Sequence, residues 1–237
     1  MINGLYSGAT ALDIFSRQQE LISSNLANLQ TPGHKRMLFT FNERNKESDG
    51  LKTVRPGTQV KTFATDFSQG HLKTTQRPLD VAISGDGFFE FQNGEESVYS
   101  RGVPLFRGPE DQLVNGDGMP VLSNGNPISI PREVSDRDIT IDTAGVISAN
   151  GSELGQLNVI NFDDNQLLES DSQTYFRQGD ATIVEDGDYQ VIQGARELSN
   201  SHPVTELISL IIGSRHHEAA NRAMRAMSEA IQQSVRE

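Results

Sequence analysis

The chain has 237 residues, 35% of them hydrophobic and 22% charged, with a formal net charge of -12 and a mean hydropathy of -0.47. That is enough for one large domain or two small ones with real cores, and too apolar for general disorder. The absence of cysteine excludes disulfides, thiolate metal sites and cysteine nucleophiles together, and no run approaches the roughly 18 apolar residues of a membrane span.

The first helix is marked by Leu5, Leu12, Gln19 and Leu26, which recur every seven residues, with Phe15, Ile22 and Leu29 interleaved. Apolar residues at alternating three- and four-residue spacing give a helix one sticky seam, here from about Gly4 to Asn28. Asp13, Arg17 and Glu20 interrupt this segment, so a cleavable secretory signal is not expected. Thr31-Pro32-Gly33 follows, with Pro and Gly at the central positions of a type II turn. After Phe39-Thr40-Phe41 comes a polar stretch from Asn42 to Arg77, in which Leu51, Val54, Val60, Phe63, Phe67 and Leu72 keep no period. It reads as an extended arm that lies along something else, since a compact domain seldom holds so long a structureless loop.

From Leu79 to Phe91 the pattern is strand, Ser84-Gly85-Asp86-Gly87 turn, strand. Asn93-Gly94 then separates Phe88–Phe91 from Ser97-Val98-Tyr99 as a hairpin turn. Asn-Gly recurs at Asn115-Gly116, Asn124-Gly125 and Asn150-Gly151, near Val121-Leu122, Ile139–Ile141 and Val146-Ile147, and Leu157–Phe162 and Tyr189–Gly194 add strands. Short strands with frequent turns predict an antiparallel barrel or sandwich, and no βαβ pattern appears. Pro203 suits the first position of a second helix and Glu206 complements its N-terminus. This helix should run to about Ser234, with Val204, Leu207, Ile208 and Ile211 opening an apolar stripe that Ala219, Ala223, Met227 and Ile231 carry on.

The expected fold is therefore α+β: N- and C-terminal helices pairing as a coiled coil around a central antiparallel β-rich domain. The expected divisions are 1–33 (helix and turn), 34–76 (arm), 77–194 (β-rich domain) and 195–237 (second helix). Helices that need partners, around a middle that buries itself, point to a subunit of an assembly. Isolated helices of this length are marginal, so the ends are expected to fray in the free subunit and order on assembly.

Charge is unevenly placed. Residues 80–188 carry 21 acidic against 5 basic side chains, and the remainder 15 basic against 11 acidic. Such a middle repels nucleic acid, and the ends offer no dense basic cluster to counter it. The acidic surface suits resistance to non-specific association.

Candidate chemistry is sparse. Adjacent residues on a helix point about 100° apart, so His216-His217-Glu218 lacks the i, i+4 histidine spacing of a zinc helix. Asp163-Asp164-Asn165 and Asp186-Gly187-Asp188 do not continue into a calcium loop and read as turns. There is no Gly-x-Ser-x-Gly elbow, no phosphate-cradling loop, and the Gly-x-Gly at Gly85 sits between strands rather than before a helix. No catalytic, cofactor-binding or metal residue is nominated, and no small-molecule substrate is expected.

Ser24-Asn25-Leu26-Ala27-Asn28-Leu29-Gln30-Thr31-Pro32-Gly33 resembles the N-terminal signature shared by bacterial flagellar rod and hook proteins. Arg77-Pro78-Leu79-Asp80-Val81-Ala82-Ile83-Ser84-Gly85-Asp86-Gly87-Phe88-Phe89 is similar to the segment that opens their β domain. Tyr99-Ser100-Arg101, Asp142–Ile147 and Gly194–Ser201 follow in that family's order, and Arg215 and Glu218 match its C-terminal helix. The resemblance covers nearly the whole chain. The chain is too short for a hook subunit and looks like the rod proteins of the FlgF and FlgG type, its length and Arg-Pro-Leu-Asp form leaning to the proximal member. His34 and His217 stand where the family usually carries an aromatic residue, which trades buried aromatic area for a titratable ring.

The resemblance implies a structural role. Terminal helices of such proteins form an inner coiled-coil tube around an export channel, with the β domain outside. Subunits reach the periplasmic rod of the basal body through the flagellar type III export apparatus, without signal cleavage, and the rod carries torque towards the hook. The implied partners are copies of the chain, other rod and hook axial proteins, and the export apparatus. A subunit of another tubular assembly, a phage tail or a secretion needle, is the alternative. An enzyme would need a concave site of convergent polar groups, with His202, His216 or His217 at its edge.

Overall fold

The structure, a computed structural model, describes residues 2–42, 59–102, 104–184 and 187–236. Leu51, Val54 and Asp186 lie outside the described residues, as do the side chains of Leu5, Val60 and Phe63. The chain forms two compact units, a helical unit of residues 1–27, 37–66 and 201–237 and a β unit of residues 28–36 and 67–200. The turn at 28–33 and the stretch 195–200, expected to go with the helices, thus belong with the strands.

In the helical unit, α1 spans Ile2–Ala27 and α2 spans Pro203–Arg236, close to the expected limits. Pro203 opens α2, where its missing N–H would have no helical partner anyway, and Glu206 N donates to His202 O at 3.0 Å. Part of the expected arm, Arg36–Asn42 and Gln59–Asp66, is a two-stranded sheet.

The β unit holds a six-stranded sheet in the spatial order Glu169–Ser170, Phe176–Arg177, Glu96–Ser100, Phe88–Asn93, Val159–Phe162, Ile183–Val184, with antiparallel neighbours. Ile139–Ile141, Val146–Ala149 and Ser152–Gln156 form a second antiparallel sheet. Val81–Gly85 pairs with Tyr189–Gln193, and Leu72–Thr74 with Ala195–Glu197. The fold is α+β, two helices with an antiparallel β body.

Alternation along Phe88–Asn93 explains why two phenylalanines stand side by side. Phe89 and Phe91 enter an aliphatic core with Leu79, Val81, Ile83, Leu113, Ile130 and Ile147. Phe88 points the other way, into an aromatic cluster with Tyr99, Phe162 and Phe176, whose rings meet edge-on (Tyr99–Phe162 centroids 5.0 Å apart at 83°). Ser84-Gly85-Asp86-Gly87 is a corner rather than a hairpin, since the strand before it and the strand after it pair in different sheets. Gly87, at φ +106°, leaves only 2.6 Å between a notional β-carbon and Val159 Cγ1, so no other residue fits there.

The Asn-Gly turns divide into three kinds. Asn124-Gly125 and Asn150-Gly151 occupy the central pair of two-residue hairpins, with φ of +48° and +80°, and +52° and +79°, as a type I′ turn requires. At Asn93-Gly94 the expected register is off by one: Asn93 pairs with Glu96, so Gly94-Glu95 makes the turn. Asn115 is buried and organises its turn by side chain, Oδ1 accepting from Asp117 N (3.0 Å) and Met119 N (2.8 Å). Its Nδ2 donates to Tyr175 Oη at 2.9 Å, and that hydroxyl donates to Asp117 at 2.8 Å; burial first, then Asp117, pushes the Tyr175 phenol up.

Candidate assembly surface

The two helices pack on each other within the helical unit. Gly8 of α1 faces Met224 of α2 so closely that any β-carbon at Gly8 would collide with the Met224 sulfur. Phe15 meets the His216 ring at 5.5 Å between centroids. Moving up α1 from Gly8 to Phe15 moves back down α2 from Met224 to His216, so the pair is antiparallel. Carried one step further, the same register sets buried Ile22 across from half-buried Leu210.

This register separates two faces of α2 that the sequence reading merged into one seam. The less exposed face is Leu210, Gly213, Ser214, His217, Ala220, Asn221, Met224 and Ile231, a seven-residue recurrence built largely from small and polar residues. The expected stripe is on the other side except at its end, where Ile231 falls on the less exposed face. Ile208 lies about 160° round the helix from Leu210, and Val204, Leu207, Ile208, Ile211 and Ile212 are 69%, 46%, 52%, 55% and 49% exposed. Met227 is also exposed. On α1, Leu12, Phe15 and Leu26 are half-buried and Ile22 is buried, as is Leu29 in part beyond the helix end. Ile14 and Leu21 are buried too, although they fall between the heptad positions that the periodicity picks out.

The motif residues near the end of α1 act as anchors. Asn25 exchanges two hydrogen bonds with the Met37 backbone, donating to its carbonyl at 2.9 Å and accepting from its amide at 3.0 Å. Thr31 donates through Oγ1 to Asn28 Oδ1 at 3.1 Å. His34 N donates to Thr31 O at 3.3 Å and closes the Pro32-Gly33 turn, with Gly33 at φ +74°. Buried His34 places Nδ1 3.2 Å from Ser199 Oγ, and burial lowers its pKa from the ordinary histidine value.

In the β unit, the Asp80 carboxylate is fully buried and accepts from Arg196 Nε at 2.7 Å, Arg196 Nη2 at 2.9 Å and Thr75 Oγ1 at 2.6 Å. A two-pronged guanidinium and a hydroxyl offset much of the desolvation of that charge. Arg101 Nη1 and Nη2 donate to the carbonyls of Gly87 (2.7 Å) and Gly85 (2.6 Å) and so cap the corner. Leu79, Phe88 and Phe89 are core residues. Arg215 is exposed, and Glu218, also exposed, makes only a loose 3.5 Å ion pair with Arg222.

Among the described residues no group of three His, Asp or Glu is placed to hold a metal. Asp163 accepts from Thr182 N and Asp164 N, which hold its carboxyl below the usual range, as a turn residue does. A shallow groove on α1 is lined by Ser16, Gln19, Glu20 and Ser23, with no histidine at its edge. The surface that calls for a partner is the apolar face of α2.

Known proteins agree with this arrangement of parts. Residues 5–35 match the family described as flagella basal body rod protein, and residues 82–149 the flagellar hook protein FlgE/F/G D1 domain. The flagellar basal-body rod protein FlgG of Buchnera aphidicola subsp. Acyrthosiphon pisum is 30% identical over 259 residues, covering 98% of each chain. FlgF of Salmonella typhimurium is 29% identical over 246 residues, covering 97% of this chain and 95% of its own. FlgG of Bacillus subtilis is 26% identical over 260 residues, covering 99% and 98%. Relatives of both names stand at similar identity, so identity does not choose between them.

Proposed function

We propose, from the premise that this chain belongs to the family of flagellar basal-body rod proteins, that its terminal helices polymerise with those of neighbouring subunits into a hollow shaft carrying torque to the hook. The chain is a structural subunit of the flagellar basal body and not an enzyme. It works by assembly with copies of itself and with other basal-body components.

The observation that carries the polymerisation reading is the two-faced α2. One face is taken up by α1 of the same chain. The other leaves Val204, Leu207, Ile208, Ile211 and Ile212 in solvent, and a run of branched aliphatic side chains is costly to leave wet. Full burial of such a side chain is worth about 1.5–3 kcal/mol, and with these already about half covered each would add about half of that, so five per subunit, repeated along a helical array, would hold a stiff tube. On this reading α1 and α2 form an antiparallel coiled coil within each subunit, and the outer face of α2 meets the next one. Passage through the flagellar type III export apparatus to the periplasmic rod, without signal cleavage, belongs to the same proposal.

Imaging basal bodies from a strain lacking this gene tests it. Rods that stop short, and are completed when the intact gene is returned, agree with the reading; complete rods without the chain overturn it.

A further inference from the structure

The chain passes between its two units at residues 27/28, 36/37, 66/67 and 200/201. Three of these four passages are laced together by atoms that all belong to the β unit. Gly33 N donates to Glu197 O at 2.9 Å. Lys35 Nζ donates to Glu197 Oε1 at 2.7 Å and to Ser68 O at 2.7 Å. Arg36 N donates to Asn200 Oδ1 at 2.7 Å, and Asn200 Nδ2 donates to Ser68 O at 3.1 Å. Glu197 also accepts from Gly70 N at 2.8 Å and, through Oε2, from Arg101 Nε at 3.2 Å.

The charges at the centre are out of water: Lys35 and Glu197 side chains are each 1% exposed and Arg101 is 5% exposed. One carboxylate between two cations, with backbone donors and acceptors filling the remaining positions, is a poor source of net stability compared with packed apolar residues. What it supplies is direction. Charge-assisted bonds hold these strands at fixed separations, whereas an apolar contact can slide. Arg101 ties the same carboxylate to the Gly85–Gly87 corner, which leads straight into Phe88 and Phe89 of the core.

We propose that Lys35, Glu197 and Asn200 form a clasp that gathers the chain passages at 36/37, 66/67 and 200/201, so that force entering the β unit along any one of them is shared by all three. The inference rests on the reading of the chain as part of a torque-carrying shaft. Lys35, Glu197 and Asn200 are positioning residues in that function, since they touch no neighbouring subunit in the argument; they keep the exits of the β unit from moving independently.

Two measurements test it, with Asn200→Ala and Glu197→Gln as clasp variants and Ile147→Ala, which empties a fully buried aliphatic site of the same unit, as a control whose stability loss is of comparable size. The first is amide exchange on the purified full-length chain. The clasp variants should exchange the Arg36 and Gly70 amides at least tenfold faster while Phe91 keeps its protection, and unchanged exchange at Arg36 and Gly70 overturns the clasp. The second is rotation of beads of increasing size in cells carrying each variant as the sole copy. The clasp variants should turn small beads at wild-type speed and fail under large ones, while Ile147→Ala does not fail. Wild-type torque at every load, or failure no worse than the control, overturns the clasp, as does loss of the rod itself in both clasp variants when the control assembles. An intact gene that does not restore rods to the deletion strain removes the rod reading instead, and leaves the exchange result to stand or fall alone.

Discussion

Met224 of α2 fills the space that Gly8 leaves open on α1. With Phe15 against His216 at 5.5 Å, this contact sets the direction and register of the helix pair. A methionine suits the place, because an unbranched thioether adapts to an irregular gap that a β-branched residue could not enter. A β-carbon at Gly8 would require the Met224 side chain to move aside, and a larger side chain there would displace it altogether.

Gly8→Leu should therefore unseat α2, by the roughly 1–3 kcal/mol typical of overpacking. Trimming the partner should recover part of that loss, so Gly8→Leu with Met224→Ala should protect the Ile22 and Leu210 amides better than Gly8→Leu alone. A double variant no better protected than the single one would remove Gly8–Met224 as the determinant of register.

The outer face of α2 predicts a different phenotype. Ile211 is exposed, so Ile211→Asp should shift the chain's own unfolding by no more than about 0.5 kcal/mol while abolishing incorporation into rods and motility. Leu26→Asp, on half-buried α1 surface, should likewise leave the β unit folded and stop assembly. Wild-type swimming by both strains would defeat this account of the helices.

His34 supplies a pH dependence whose sign is fixed. Burial lowers its folded-state pKa below the unfolded value of about 6.5. Above that unfolded value the ring is neutral in both states and contributes nothing. As pH falls through it, the unfolded chain takes a proton that the buried ring of the folded chain refuses, so stability is lost progressively down to the folded pKa. His34→Phe should remove this component. The gap in urea midpoint between variant and wild type should move in the variant's favour from about pH 7.5 to about pH 5.5, and a pH-independent gap would contradict the assignment.

Gly213 is buried in the interior of α2, yet a β-carbon there would meet nothing within 4 Å. Gly213→Ala should stabilise the helix by about 0.5–1 kcal/mol, read as a later loss of helical signal on heating the purified chain. An earlier loss would mean that the space is not free.

Much of this was legible in the sequence, for identifiable reasons. Pro203, Thr31-Pro32-Gly33 and the Asn-Gly pairs at 124 and 150 act through their own backbone preferences, so local reading located the helix ends and the hairpins. The face of α2 that meets α1 was not legible. Periodicity selects the most hydrophobic stripe, and in this chain that stripe opens on the outer face, while the inner face intersperses Leu210 and Met224 with the small or polar Gly213, Ser214, His217, Ala220 and Asn221. The Glu197 cluster was hidden for another reason: Lys35 and Arg101 lie 162 and 96 residues away in sequence, and no local pattern connects them. Ser24–Gly33 and Arg77–Phe89 carry the family resemblance, but only the fold shows Asn25 holding the Met37 backbone and Asp80 holding Arg196.

The central claim is that the outer face of α2 is covered by neighbouring subunits in the assembled rod. The chain has no cysteine, so Ile211→Cys gives a single reporter whose reaction with a maleimide is read directly. The account predicts rapid, complete labelling in the free subunit and strong protection in isolated basal bodies; equal labelling in both would contradict it.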